Sequence, residues 1–343
     1  MRALVLTQPN ILELQEVEDP TPKDDEVLIR VESVGICGSD VYGMTGASGR
    51  RIPPLIMGHE GSGTIEQVGS AVTHWKVGQR VTFDSTVYPL DDWYTHKGQY
   101  NLSDGREVLG VSCEDYRRHG AFAEFLTVPG HILVELPENV SFDHAALVEP
   151  SAVALHGIKL SGVQADESAL VVGTGIIGLF VVQLLKWVGC ETIIAIDIDD
   201  NKLKMAQQLG ATHTINAADK SLPESMLGLT EGRGADHAFE VVGINDTFSI
   251  ALKNVRKGGT VTVLGNISKE VNFPLQYVVT RQIKVQGSCG ICGEYPEVLE
   301  LMSRGVLDLD TMISVTAPLD EGISLFDRLG KREAGMLKVV LKP

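Results

Sequence analysis

Positive charge is scarce in this chain: 29 lysines and arginines stand against 45 aspartates and glutamates, for a formal net charge of −16. Affinity for nucleic acid rests largely on basic side chains displacing counterions, so this deficit argues against a nucleic-acid partner. Cysteine is also sparse and odd in number, five residues. The opening residues 1–7 are apolar for too short a stretch to form the core of a secretory leader, so no disulfide framework is expected and the chain reads as cytoplasmic. Long hydrophobic runs are missing as well. The one uncharged stretch of note, residues 168–185, holds three glycines at phosphate-loop spacing, which read as strand, turn and helix rather than as a membrane span. Neither a solenoid-period repeat nor a low-complexity tract is present.

What is there suffices for a sizeable core: 343 residues, 43% of them apolar, enough for two domains of ordinary size. Up to about residue 150 the chain carries short β-like runs at 26–32, 63–69 and 79–83, each next to glycine or other turn residues, which predicts a small β-barrel. From 152 to 287 strand-like runs at 169–172, 192–197, 236–242 and 259–265 alternate with helical patterns such as 201–209. That alternation predicts a doubly wound parallel sheet. After 288 the character is mixed again and ends in a strand-like run, 337–341. The expected division is therefore 1–151 with 288–343 as one domain and 152–287 as the other, an α/β chain with a β-barrel. A polar, aromatic lobe at 84–120 reads as a loop or an oligomer contact.

Gly173, Gly175 and Gly178, with Ile176 and Ile177 between them, follow a buried strand pattern and open a helical one, and Asp197 ends the next strand pattern. Glycines let the backbone approach a pyrophosphate, the helix N-terminus faces the phosphates, and the carboxylate accepts the ribose hydroxyls. The charge of Asp197 repels a 2′-phosphate and Ile198 supplies no compensating cation, so NAD is expected over NADP. Lys202 is near enough to reach the same ribose, or is a solvated lysine on a helix face.

Upstream, Cys37, His59 and Glu60 offer a thiolate, an imidazole and a carboxylate, and Glu149 precedes Pro150 after an apolar run. These are the usual donors of tetrahedral zinc. One thiolate and one carboxylate neutralise the ion; if both glutamates ligated, no position would remain open, so one of them must exchange or act through water. A Lewis acid and a hydride acceptor in one chain point to alcohol oxidation. Ser39 is a candidate to pass the released proton outward, or bonds local backbone; Tyr42 continues that relay or packs as a wall. The pair Cys289 and Cys292 lacks the second pair that a structural zinc requires.

At these motifs the chain resembles the zinc-containing medium-chain dehydrogenase/reductase family, and within it the sorbitol-like polyol dehydrogenases. The resemblance rests on Gly35-Ile36-Cys37-Gly38-Ser39-Asp40, Met57-Gly58-His59-Glu60-Gly61, the segments 120–125 and 149–154, the glycine turn and the final 338–343. It implies a GroES-like catalytic domain and a Rossmann domain. It implies one catalytic zinc on Cys37, His59 and Glu60, with Glu149 binding directly or through water, Ser39 as hydroxyl relay, and Lys338 near the cofactor phosphates. A homodimer or homotetramer is implied too. Three departures stand out. Only Cys113 remains in the lobe where many relatives hold a four-cysteine structural zinc; Tyr42 replaces a relay histidine; and 287–291 lacks the Arg-Tyr pair of sorbitol dehydrogenases, leaving room at Gly290 for a bulkier sugar or sugar alcohol. The expected activity is hydride transfer between a secondary alcohol of a polyol or sugar and NAD. The alternatives are a threonine or butanediol-type dehydrogenase and a non-catalytic NAD-binding protein on the same scaffold.

Overall fold

Strand Glu26–Ile36 places Val27, Ile29, Val31, Val34 and Ile36 in a core where none is more than 3% exposed. β-Branched side chains suit this pleated surface, and each one fully buried contributes about 1.5–3 kcal/mol relative to exposure. The computed structural model describes residues 1–343, and this strand is central to the first of two units, Met1–Glu149 with Ile291–Gly305 and Leu309–Pro343. Its seven-stranded sheet runs in the order Leu133–Glu135, Arg80–Phe83, Glu60–Val68, Glu26–Ile36, Lys338–Lys342, Ile313–Pro318, with Phe125–Pro129 also paired to Glu26–Ile36. Phe83, Phe122 and Phe326 fill the space against that sheet.

In the lobe, Thr86–Val87 pairs with Glu107–Val108, and Val111–Ser112 with Arg117–Arg118. Polar contacts and ring stacking hold it: Thr95 Oγ1 to Ser103 Oγ at 2.6 Å, the Tyr100 hydroxyl to Asp84 at 2.5 Å, and Tyr88 stacked on Tyr100 at 4.1 Å.

The second unit is Pro150–Gly290 with Val306–Asp308. Its six parallel strands are Ser168–Val172, Thr192–Asp197, His213–Asn216, Ala235–Glu240, Val255–Val263 and Lys284–Gly287, and numbered in that sequence order they lie as 3-2-1-4-5-6. This is the doubly wound order whose direction reverses beside the first strand, where dinucleotides bind. The tail 288–343 was expected to join the first unit whole, but residues 288–290 and Val306–Asp308 group with the second, where the Asp308 N–H donates to Gln183 Oε1 at 2.7 Å. The uncharged stretch divides into strand Ser168–Val172 and helix Ile176–Val188, and the helix stops at Gly189, left-handed at φ 101°. No helix of the chain is long and apolar enough to cross a membrane.

Candidate active site

Antiparallel register assembles the metal donors. Gly35 pairs with Glu60 and Val34 with Gly61, so continuing each strand by a residue or two sets Cys37 beside His59. The turn into His59 needs glycine: Gly58 has φ 97°, and a Cβ there would meet the Phe122 backbone N at 3.0 Å. The donor atoms of Cys37, His59 and Glu60 all lie within 4.8 Å of one another.

Cys37 is also the N-cap of the short helix Gly38–Gly43. Its Sγ accepts from Ser39 N at 3.4 Å, and Asp40 reaches back to Cys37 N at 3.3 Å in a capping box. Asp40 does more than cap. Its Oδ1 takes Arg51 Nη2 at 3.0 Å and stands 3.4 Å from His59 Nδ1. Burial alone would raise the Asp40 carboxyl, but His59 and Arg51 outweigh it and hold it below the usual carboxylate range. Burial would likewise lower the His59 imidazole, yet Asp40 and Cys37 hold it well above its ordinary value. Surroundings that retain a proton so strongly suit a cation. With Nδ1 turned to Asp40 and unpartnered by a hydrogen bond, Nε2 is the nitrogen left for a metal, and the donor set fits zinc.

Lys338 corrects an expectation. The resemblance placed it near the cofactor phosphates, but it is 1% exposed, and its ammonium bonds Glu60 Oε2 at 2.5 Å and the Ile36 carbonyl at 3.1 Å. Strand pairing explains the position: Val339 is opposite Ile36, which sets Lys338 opposite Cys37. Burial would lower the ammonium's pKa, and the charges of Glu60 and Cys37 raise it instead. Lys338→Met should therefore leave Glu60 buried without its counter-ion, at a cost of about 3–5 kcal/mol. The check is the urea midpoint of chelator-treated protein, which should fall clearly in this variant and stay in place for Lys202→Met; equal midpoints would exclude the pairing as a stabilising contact.

Glu149 is not among the donors within 4.8 Å. It opens helix Val148–Ser161 and accepts from Ser85 Oγ at 3.3 Å. Burial first, and the neighbouring charge of Glu60, push its carboxyl up to about 7 against the opposing pull of His59. Ser39 and Tyr42 both lie exposed on helix Gly38–Gly43, three positions apart, with Tyr42 45% exposed.

In the second unit the glycine turn follows strand Ser168–Val172. A Cβ on Gly178 would fall 1.9 Å from the Gly173 carbonyl oxygen, so only glycine lets helix and turn pack this closely. A Cβ on Gly175 would meet nothing within 4 Å; the space in front of it is open, as a pyrophosphate requires. No side chain caps helix Ile176–Val188, so its first N–H groups remain available to phosphate oxygens. Asp197 accepts Thr174 N at 2.7 Å and Thr174 Oγ1 at 3.0 Å on one oxygen, Ile198 N at 2.7 Å and Asp199 N at 3.0 Å on the other. Four donors fill about four acceptor sites, so a ribose hydroxyl must share with or displace the Thr174 hydroxyl. Lys202 sits half-buried in the first turn of helix Asp200–Leu209.

Sequence reasoning missed Asp40, Arg51, Ser85 and Thr174. Asp40 caps the helix that Cys37 opens, but a cysteine is not an ordinary N-cap signal, so the role of Asp40 emerges only with the fold. Arg51 and Ser85 act through tertiary contacts and left no signal.

The alcohol dehydrogenase GroES-like domain matches residues 23–138, and the zinc-binding dehydrogenase domain matches 177–304. The chain is 33% identical to the uncharacterized zinc-type alcohol dehydrogenase-like protein YdjJ of Escherichia coli K12, over 98% of this chain and 97% of that one. With the sorbitol dehydrogenase of Bacillus subtilis 168 it shares 30% identity, over 100% and 97%. A Sinorhizobium meliloti 1021 structure, described only as a zinc-binding dehydrogenase target and bound to NADP, superposes with a TM-score of 0.92 at 30% identity, covering 100% of this chain and 99% of that one. Joined to the donor cluster and the glycine turn, these similarities place the chain in the zinc-type alcohol dehydrogenases of the medium-chain dehydrogenase/reductase family, an oxidoreductase that works with zinc and a nicotinamide cofactor.

Proposed function

We propose that this protein interconverts a secondary alcohol of a polyol or sugar with its ketone, using NAD, at a zinc held by Cys37, His59 and Glu60. The observation that carries the reading is the meeting of those three donors at adjoining strand ends, all within 4.8 Å. The substrate class is supported by likeness to sorbitol dehydrogenase over the full chain.

When bound, zinc supplies a Lewis acid that lowers the pKa of a substrate hydroxyl, and NAD supplies the hydride acceptor. The protein's own side chains set the stage. Asp40, itself fixed by Arg51, orients the His59 ring; Lys338 holds one oxygen of Glu60. Glu149, held by Ser85, is the second carboxylate, and in this reading it would bind the metal directly or through water. Ser39 and Tyr42, exposed on one short helix, carry the released proton toward solvent. Gly173, Gly175 and Gly178, with the N–H groups of Ile176 and Ile177, receive the pyrophosphate, and Asp197 and Lys202 the adenosine ribose. Acidic Asp197, Asp199 and Asp200 around an exposed Ile198 disfavour a 2′-phosphate, and this supports NAD even though the Sinorhizobium protein was solved with NADP.

The protein works in the cytoplasm as a homodimer or homotetramer in this reading. None of the five cysteines is joined in a disulfide, and Lys284–Gly287 is a partly exposed edge strand of the six-stranded sheet, open to pairing with a second copy. A panel of polyols, aldoses, diols and L-threonine, followed by NADH absorbance, tests the activity. Polyols or sugars should give the highest kcat/KM. A diol or threonine turned over a hundredfold better than any polyol would replace the reading with a butanediol or threonine dehydrogenase; NADH binding without turnover of anything would favour the non-catalytic binder.

A further inference from the structure

Two of the four arginines in the pairs 50–51 and 117–118 are neutralised. Arg51 is paired with Asp40, and Arg118 with both Glu26 and Glu107. Arg50 and Arg117 are different: both are exposed, and neither forms an ion pair with a carboxylate. They meet on one ridge. Ser112 N donates to the Arg50 carbonyl at 3.3 Å, Arg117 Nε donates to Ser112 Oγ at 3.3 Å, and Arg117 Nη2 donates to the Pro53 carbonyl at 3.3 Å. The acidic residues closest in sequence, Glu114 and Asp115 at the hairpin turn, pair with neither.

The ridge is tied to the metal donors by consecutive contacts. Arg51, next in the chain to Arg50, bonds Asp40, and Asp40 faces His59. The segment that carries Arg50 leads out of helix Gly38–Gly43, which bears Ser39, and into the turn that bears His59 and Glu60. The positive charge of Arg117 reaches the imidazole of His119; there burial first, and then that charge, lower the pKa. The two guanidinium groups stand on a chain of net charge −16, whose overall field repels anions, so an anion bound here needs local positive charge. Guanidinium forks match carboxylate and phosphate oxygens in pairs, which a lysine does not do.

We propose that Arg50 and Arg117 bind an anionic group, carboxylate or phosphate, at one end of the polyol substrate, so that the natural substrate is a sugar acid or a polyol phosphate. This rests on the polyol dehydrogenase reading above and narrows it. The uncharged part of such a molecule lies toward Cys37, His59 and Glu60, and its charged end lies on the arginine ridge.

The test compares kcat and KM for neutral hexitols, the corresponding aldonates and hexitol phosphates in zinc-loaded wild type, Arg50→Gln, Arg117→Gln, the double glutamine variant and the double lysine variant. In wild type, aldonates or hexitol phosphates should show a KM at least tenfold below that of the neutral hexitols; which of the two gains identifies the anion. The ratio of kcat/KM, anionic over neutral, should fall at least tenfold in the double glutamine variant, through KM rather than kcat, and recover in part with lysines. Added salt should raise KM for the anionic substrate alone. Arg117 anchors the hairpin, so the single Arg50→Gln variant, whose side chain gives up no hydrogen bond, must show the same trend. Neutral hexitols used as well as anionic ones, or a ratio unchanged by the double variant, overturns this inference and leaves the parent reading standing. No turnover of any polyol, charged or neutral, overturns both.

Discussion

Cys37→Ser should lower kcat/KM by at least about a thousandfold while NADH binds as in the wild type. A thousandfold corresponds to about 4 kcal/mol of transition-state stabilisation, within the several kcal/mol that a catalytic metal supplies. Serine is a conservative probe of the fold, because its hydroxyl can take over the N-cap role that the Cys37 sulfur plays toward Ser39 N. It is a poor zinc donor, because its oxygen stays protonated where a thiolate does not. The nucleotide turn belongs to the other unit, with its own core around Leu170, Val172, Ile194 and Ile196, so cofactor binding has no reason to change. Zinc content by mass spectrometry, NADH fluorescence titration and turnover together check the prediction. Full activity in a variant without zinc, or in metal-stripped wild type, would remove the mechanism.

The second large effect concerns the cofactor. Asp197→Ala with Ile198→Arg should weaken NAD binding about 10–100-fold, roughly 1.4–2.8 kcal/mol, and reverse the preference toward NADP. Two losses add in the alanine change: the ribose acceptor goes, and so do the hydrogen bonds that tie Thr174, Ile198 and Asp199 to one carboxylate. Asp197→Asn separates them, since it keeps acceptor oxygen and loses charge; it should bind NAD with a smaller deficit and discriminate less against NADP. Fluorescence titrations with NADH and NADPH decide the matter. Wild-type protein that binds the two equally would show that Asp197 does not discriminate.

Where local pattern and chemistry coincide, the sequence was readable. The strand, glycines, helix and acidic residue of the nucleotide turn form one continuous run, so Gly173, Gly178 and Asp197 are legible from local pattern alone. The metal donors are scattered, but their residue types narrow the choice, and strand register then brings Cys37, His59 and Glu60 together. Lys338 was misjudged for a physical reason. A lysine near the end of a chain is ordinarily solvated, and nothing local announces that a strand pairing 302 residues away from Ile36 will bury it. Arg51 and Ser85 were invisible for the same cause: each matters only through a partner brought near by tertiary folding.

The ion pair between Glu60 and Lys338 also orders events during synthesis. The two residues are 278 positions apart, and a ribosome adding about 5–20 residues per second needs roughly tens of seconds to travel that far. Every strand of the six-stranded sheet emerges in between. The nucleotide-binding half can thus finish while the other half still carries an uncompensated carboxylate, and only the arrival of strand Lys338–Lys342 in the sheet neutralises it.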